Sequence, residues 1–236
     1  MIERGDIGAP LTALILLQSP GPESWHPNPA FLFADGAGPL FDIGPYYLAT
    51  LVQSFGPVSR VAATASKARG RRIVGSGPKA GEEFEVTVPT HLSTLIQFES
   101  GHSAQAVFSF DSAQPRALLE VNGVDATLLF PDPNDFGGDI NIRRRHGEDW
   151  ETVASTTEKS SRGTGVLDMA RAIREGRPHR AQGALAYHVL DAMIAISESA
   201  NTAEFVQVAS TCAIPDLLPE DWNPRSLTVG QYRLAI

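Results

Sequence analysis

Between Phe84 and Arg145 the chain repeats one arrangement: a short apolar, strand-like run followed by turn residues. The runs are Phe84 to Val88, His91 to Phe98, Ala104 to Phe110, Ala117 to Val121, Thr127 to Phe130 and Asp139 to Arg145. Ser100-Gly101, Asn122-Gly123 and the segment Pro131 to Gly138 separate them, and residues of these types punctuate strands. Asn122-Gly123 is a favoured two-residue hairpin turn, so its flanking strands are expected to pair antiparallel and the block to form a meander-like sheet.

The segments on either side decide the class. Leu11 to Gln18 reads as a strand buried on at least one face. Pro20, Pro22, Pro27 and Pro29 then impose an extended loop around Trp25-His26. From Asp42 or Pro45 to about Phe55, apolar residues recur at helical spacing (Tyr47, Leu48, Leu51, Val52, Phe55), and Gly56-Pro57 stops the helix. Val58 to Ala65 is expected as a strand and Lys67 to Glu82 as an exposed loop or hairpin tip. Helices are expected over Val166 to Glu175 and Leu185 to Ser199, with a late strand at Phe205 to Ser210. Helices before and after a run of strands predict an α+β fold: a predominantly antiparallel open β-sheet with helices packed on one face. The expected division is a domain over 1–215 and an irregular extension over 216–236.

Charge and composition exclude several function classes. The net charge of −8 argues against nucleic-acid or anionic-membrane partners. The one basic run, Arg143 to His146, alternates faces in a strand and reads as a solvated edge. Leu11 to Leu17 is too short to cross a bilayer. The polar stretch Met1 to Asp6 does not read as a secretory leader, so none is expected, and the single cysteine, Cys212, suits packing in a reducing cytoplasm. There is no G-x-S-x-G elbow, no H-E-x-x-H and no paired C-x-x-C. Gly163-Thr164-Gly165 starts like a dinucleotide fingerprint but lacks a third glycine and a preceding strand. It reads as a loop ahead of a helix, and neither a metal site nor a cofactor site is expected in this chain.

The polar candidates gather where the chain enters the first helix. Gly36 to Tyr47 packs glycines, prolines, Asp42, Tyr46 and Tyr47 into twelve residues. Asp42 either caps the helix or positions a substrate hydroxyl. Adjacent tyrosines diverge by about a hundred degrees on a helix; Tyr47 fits the apolar stripe, so Tyr46 is the better candidate for a cleft. Trp25 and His26 line a sugar-sized pocket or anchor their loop. His188 on the last helix reads as a satisfied core histidine.

Several stretches in order resemble the C-terminal domain of the Gfo/Idh/MocA oxidoreductases, the family of glucose–fructose oxidoreductase and the inositol dehydrogenases. They are Gly5 to Pro10, Trp25 to Pro29, Gly36 to Tyr47, Phe108 to Asp111, Pro131 to Asn134 with Gly137-Gly138, and Tyr187 to Leu190. The resemblance implies a domain that forms the substrate pocket for a sugar, cyclitol or related polyol and mediates homo-oligomerisation through its sheet. In complete members an upstream Rossmann domain binds NAD or NADP. The family's catalytic helix commonly carries Asp-x-Gly-x-His-x-x-Asp. Asp42 and Gly44 match it, whereas Tyr46 and Ala49 replace the histidine and the second aspartate. Asp42 and Tyr46 are thereby the implied catalytic candidates, with Trp25, His26 and Tyr47 as substrate-binding candidates. The Glu-Lys-Pro motif that supplies the family's lysine is absent from the sequence, so the chain alone is expected to be catalytically incomplete. The alternative is a non-catalytic sheet module for oligomerisation or ligand binding.

Overall fold

A computed structural model describes residues 1–154, 161–219 and 222–225. The first strand, β1 (Pro10–Gln18), runs through the middle of a nine-stranded sheet. After the helix α1 (Gly38–Phe55) come β2 (Val58–Ser66), the small strands β3 (Arg71–Ile73) and β4 (Glu83–Glu85), then β5 (His91–Phe98) and β6 (Ser103–Ser109). The chain continues through β7 (Arg116–Gly123), β8 (Ala126–Phe130), β9 (Ile140–Arg144) and β10 (Glu151–Val153) to α2 (Thr164–Glu175), α3 (Gly183–Thr202) and β11 (Val206–Gln207). The sheet order is β10-β9-β8-β7-β1-β6-β5-β2-β11. Neighbours are antiparallel except β1 and β6, which run parallel with Ile15 opposite Ala106. This is the expected α+β architecture.

Strand residues alternate between two faces, and the buried set, including Ile15, Val61, Ile96, Phe108, Leu119 and Leu128, lies on the face covered by helices. Tyr47, Leu48, Leu51 and Val52 of α1 and Val189, Met193 and Ile196 of α3 complete that core. His188 is buried as expected. Its Nε2 accepts from the Val58 backbone N–H at 2.9 Å, and its Nδ1 lies 3.0 Å from the Ser210 hydroxyl. Burial pushes the imidazole down from its ordinary value, which favours the neutral ring that the bond from Val58 requires, since an acceptor Nε2 carries no proton.

Three local expectations are corrected. The β7–β8 hairpin forms, but Asn122 pairs with Thr127, so Val124-Asp125 is the two-residue turn. Gly123 serves a close approach instead, since a Cβ there would run into the Ile7 carbonyl. Phe84 to Val88 does not join the main sheet. Glu83 to Glu85 pairs with Arg71 to Ile73 in a separate two-stranded hairpin, where opposite charges face one another across Arg71–Glu83 and Arg71–Glu85 at 3.5 and 3.8 Å. The segment Lys67 to Glu82 is thus half of a structured hairpin, with Arg72 buried inside it.

Candidate functional site

The helix α1 begins four residues before Asp42. Gly36 and Gly38 take positive φ values of 83° and 85°, a region glycine enters without a Cβ penalty. Pro39 then supplies the fixed φ suited to a first turn. Asp42 therefore lies inside the helix, and the capping reading is overturned: the N-cap is Ala37, with no side-chain bond. Pro45 sits in the helix interior, where it deprives the Phe41 carbonyl of its usual donor. Gly44 faces α3, with Met193 Sδ 3.5 Å from where a Cβ would stand. One turn separates Asp42 from Tyr46, which is 45% exposed, so the two share a helix face. The Asp42 carboxyl is half-buried; burial pushes it above its ordinary value, and the charge of nearby His26 pulls against that.

His26 belongs to an aromatic ledge beside this face. Two 3-10 turns, Pro22–Ser24 and Pro29–Phe33, hold the ledge at either end. The His26 ring meets Trp25 edge-on at 5.4 Å and Phe31 at 5.3 Å between centroids. Its Nδ1 accepts from the Asn28 backbone N–H at 3.1 Å, which leaves Nε2 to carry the proton of the neutral ring. Trp25 and Phe31 stay 68% and 56% exposed. Exposed flat rings around His26, with the Asp42 carboxyl near that imidazole, can stack an apolar ligand face while a polar group takes one of its hydroxyls.

Tyr47 does not share that surface. It is fully buried, its ring meets Phe108 edge-on at 6.5 Å, and its hydroxyl donates to Asp132 at 3.2 Å. Burial, followed by the Asp132 charge and hydrogen bond, pushes the phenol far above its ordinary value. Tyr47 thus offers no free surface to a ligand. Phe31 and Arg72, by contrast, were not among the sequence candidates. Phe31 stood in a Pro-rich loop without periodicity, and the only sequence signal for Arg72 was the complementary charge of Arg71-Arg72 and Glu83 to Glu85.

Residues 1–129, over half of the chain, match the sequence profile of the GFO/IDH/MocA C-terminal domain. The chain belongs to the GFO/IDH/MocA family. No curated protein matches it in sequence. Among solved structures it is similar to the apo form of levoglucosan dehydrogenase, with a TM-score of 0.72 and 21% identity, over 89% of this chain and 62% of that one. The complex of levoglucosan dehydrogenase with NADH and levoglucosan gives 0.69 and 21% over 88% and 60%. An NAD binding oxidoreductase from Klebsiella pneumoniae gives 0.69 and 22% over 89% and 61%. At these identities the likeness concerns the fold, and the GFO/IDH/MocA chain described here spans about three fifths of those relatives' length.

The family implies a nicotinamide dinucleotide, and the described residues do not fit one. A dinucleotide cradle needs a strand, a glycine-rich turn and a helix N-terminus within one parallel unit. Among the described residues the one parallel pair, β1 and β6, is joined through α1, β2, the β3–β4 hairpin and β5. The N-terminus of α1 is packed against Val88 and Pro89, with the Pro89 carbonyl 3.0 Å from a Cβ built on Gly38. Among the described residues no group of three His, Cys, Asp or Glu side chains is placed to hold a metal ion, and no helix is long and apolar enough to cross a membrane.

Proposed function

We propose that this chain is the substrate-binding and assembly half of an NAD(P)-dependent oxidoreductase acting on a sugar, cyclitol or related polyol. In this reading a nucleotide-binding half outside these 236 residues supplies the cofactor and completes catalysis. The observation that carries the reading is the placement of Asp42 on one face of α1 with Tyr46, close enough to His26 to feel its charge, while the His26 ring packs against the exposed ring of Trp25. In this reading Trp25 and Phe31 stack on the apolar face of the ring. Asp42 accepts from a substrate hydroxyl, and the Tyr46 phenol donates a hydrogen bond.

Support also comes from a structural relative bound to levoglucosan and NADH. The unit is residues 1–215. The extension that follows is tied to it by Arg180, which donates to the Asp216 and Leu217 carbonyls at 2.8 Å, just after the Gln53 side chain fixes the Pro215 carbonyl at 3.0 Å. A cytoplasmic setting accords with Cys212, a free thiol pushed up by burial and hence kept protonated.

The test is levoglucosan binding to the 236-residue chain, followed by saturation-transfer NMR and calorimetry. Asp42→Ala is expected to weaken binding at least tenfold, about 1.4 kcal/mol. Equal affinity in the two proteins returns Asp42 to a structural role, and no binding of levoglucosan at millimolar concentration counts against the substrate class.

A further inference from the structure

We propose that Arg72 is a positioning residue that, with the β3–β4 hairpin, holds the Trp25–His26 ledge in one orientation relative to α1. Arg72 is only 4% exposed, yet its guanidinium reaches three separate segments. Nη1 donates to the Pro20 carbonyl at 3.2 Å and to the Glu23 carboxylate, both in the strand-to-ledge loop. Nη2 donates to the Phe110 carbonyl at 3.0 Å and to the Asp111 carboxylate, both just beyond β6. The guanidinium also lies over the Phe33 ring at 4.8 Å, in the second 3-10 turn. Asp111 is itself fixed by the Thr90 hydroxyl.

The rest of the hairpin grips the same loop. The Gly75 N–H donates to the Glu23 carbonyl at 2.8 Å, and Lys79 donates to the Asn28 side chain at 3.0 Å. Gly77, at φ 73°, lies so close to Pro27 that a Cβ would stand 2.5 Å from the proline Cβ. The residues on either side of Trp25-His26 are therefore held from below, while the Trp25 ring faces outward.

Stability alone does not account for this cluster. One cation and two carboxylates are withdrawn from water, and Arg72 Nε and Glu23 Oε2 have no hydrogen-bond partner among the described residues. Buried ion clusters with unfilled capacity contribute less than apolar packing of the same volume. What they supply is geometry, because the planar five-donor fork of arginine fixes several acceptors at once, which a lysine ammonium on a flexible stem does not.

The test uses the full chain labelled with ¹⁵N, the Trp25 indole N–H being assigned through Trp25→Phe. In Arg72→Lys and in Gly77→Ala the Trp25 signal is expected to shift and to lose heteronuclear NOE, while Trp150 and Trp222 stay unmoved. Gly77 lies in an exposed part of the hairpin, so Gly77→Ala keeps the test decisive if Arg72→Lys fails to fold. A Trp25 signal that overlays the wild type in Gly77→Ala, and in Arg72→Lys where that folds, overturns the proposal. A ligand arm rests on the function proposed above: levoglucosan affinity is expected to fall about fivefold in Gly77→Ala. Wild-type chain that binds no levoglucosan sinks that function and leaves the indole signal to decide the role of Arg72.

Discussion

At the scale of single residues, the two most informative carboxyls are perturbed in opposite directions. Asp42 is pushed up by burial. A carboxyl raised in the folded state contributes stability below its unfolded value and loses it as pH rises through the folded value. At neutral pH its ionisation is therefore a cost to the fold, and Asp42→Asn is expected to raise the urea midpoint while weakening ligand binding. The gain stays below about 1 kcal/mol, because half of the group is solvated. A midpoint that drops in Asp42→Asn would instead make the carboxylate a structural anchor. Asp168 behaves in reverse. Burial alone would raise it, but the Arg180 backbone N–H at 2.8 Å and the side chains of Arg177 and Arg180 at 2.9 and 2.6 Å outweigh burial and hold it low. Its contribution is present above the unfolded value and is lost as pH falls through the lowered one. Asp168→Ala, at a carboxylate only 3% exposed, is expected to cost about 3 kcal/mol at pH 7 and progressively less below pH 4, as read by denaturation at both pH values.

At the scale of elements, α3 is joined to the sheet by polar side chains as well as by packing. His188 accepts from the Val58 N–H, and the Ser199 hydroxyl accepts from the Ala63 N–H at 2.9 Å. His188→Leu leaves the Val58 N–H buried without a partner and is expected to cost about 2 kcal/mol in urea unfolding. Because burial pushes His188 down, its share of stability is complete above the unfolded value of 6.5. That share declines as pH falls below it, so wild type and His188→Leu should converge on acidification. Parallel pH profiles would assign the acid sensitivity elsewhere. The helix α1 shows how element boundaries and function interact. Moving its start from Asp42 to Gly38 turns Asp42 from a terminal cap into a side chain on the same face as Tyr46.

At the scale of the molecule, one sheet face is covered by helices and the other is open. Register places Ala62, Leu95, Gln105, Leu14 and Glu120 in one row across the open face, and Leu95 is 52% exposed. Mixed apolar and polar residues of this kind suit an isologous contact between copies. A homodimer through this face is expected, with Leu95→Arg raising its dissociation constant at least tenfold, about 1.4 kcal/mol, in sedimentation or light scattering. A wild-type chain that stays monomeric at hundreds of micromolar would remove the sheet face as the assembly surface.

How much was legible in the sequence follows from the range of the interactions involved. Strand existence, the α+β class and the three main helices rest on local periodicity, turn residues and helix stops, and these were readable without coordinates. So was the core role of His188, a lone histidine on the last helix beside Tyr187. Register with the family likewise brought Asp42, Tyr46, Trp25 and His26 to notice together. What local pattern does not carry is long-range partnership. Arg72 looked like one more exposed cation, because Glu23 and Asp111 lie 49 and 39 residues away along the chain. Tyr47 fitted the apolar stripe while the family resemblance implied a substrate contact, and only the fold decided between the two by closing Phe108 and Asp132 around it. Asn122-Gly123 reads locally as a turn, but Ile7 needs the space over Gly123. Local sequence determined the elements and the residue types at the site. Only the tertiary structure decided which of them face a ligand, because burial and charge pairing are set by segments far apart in the chain.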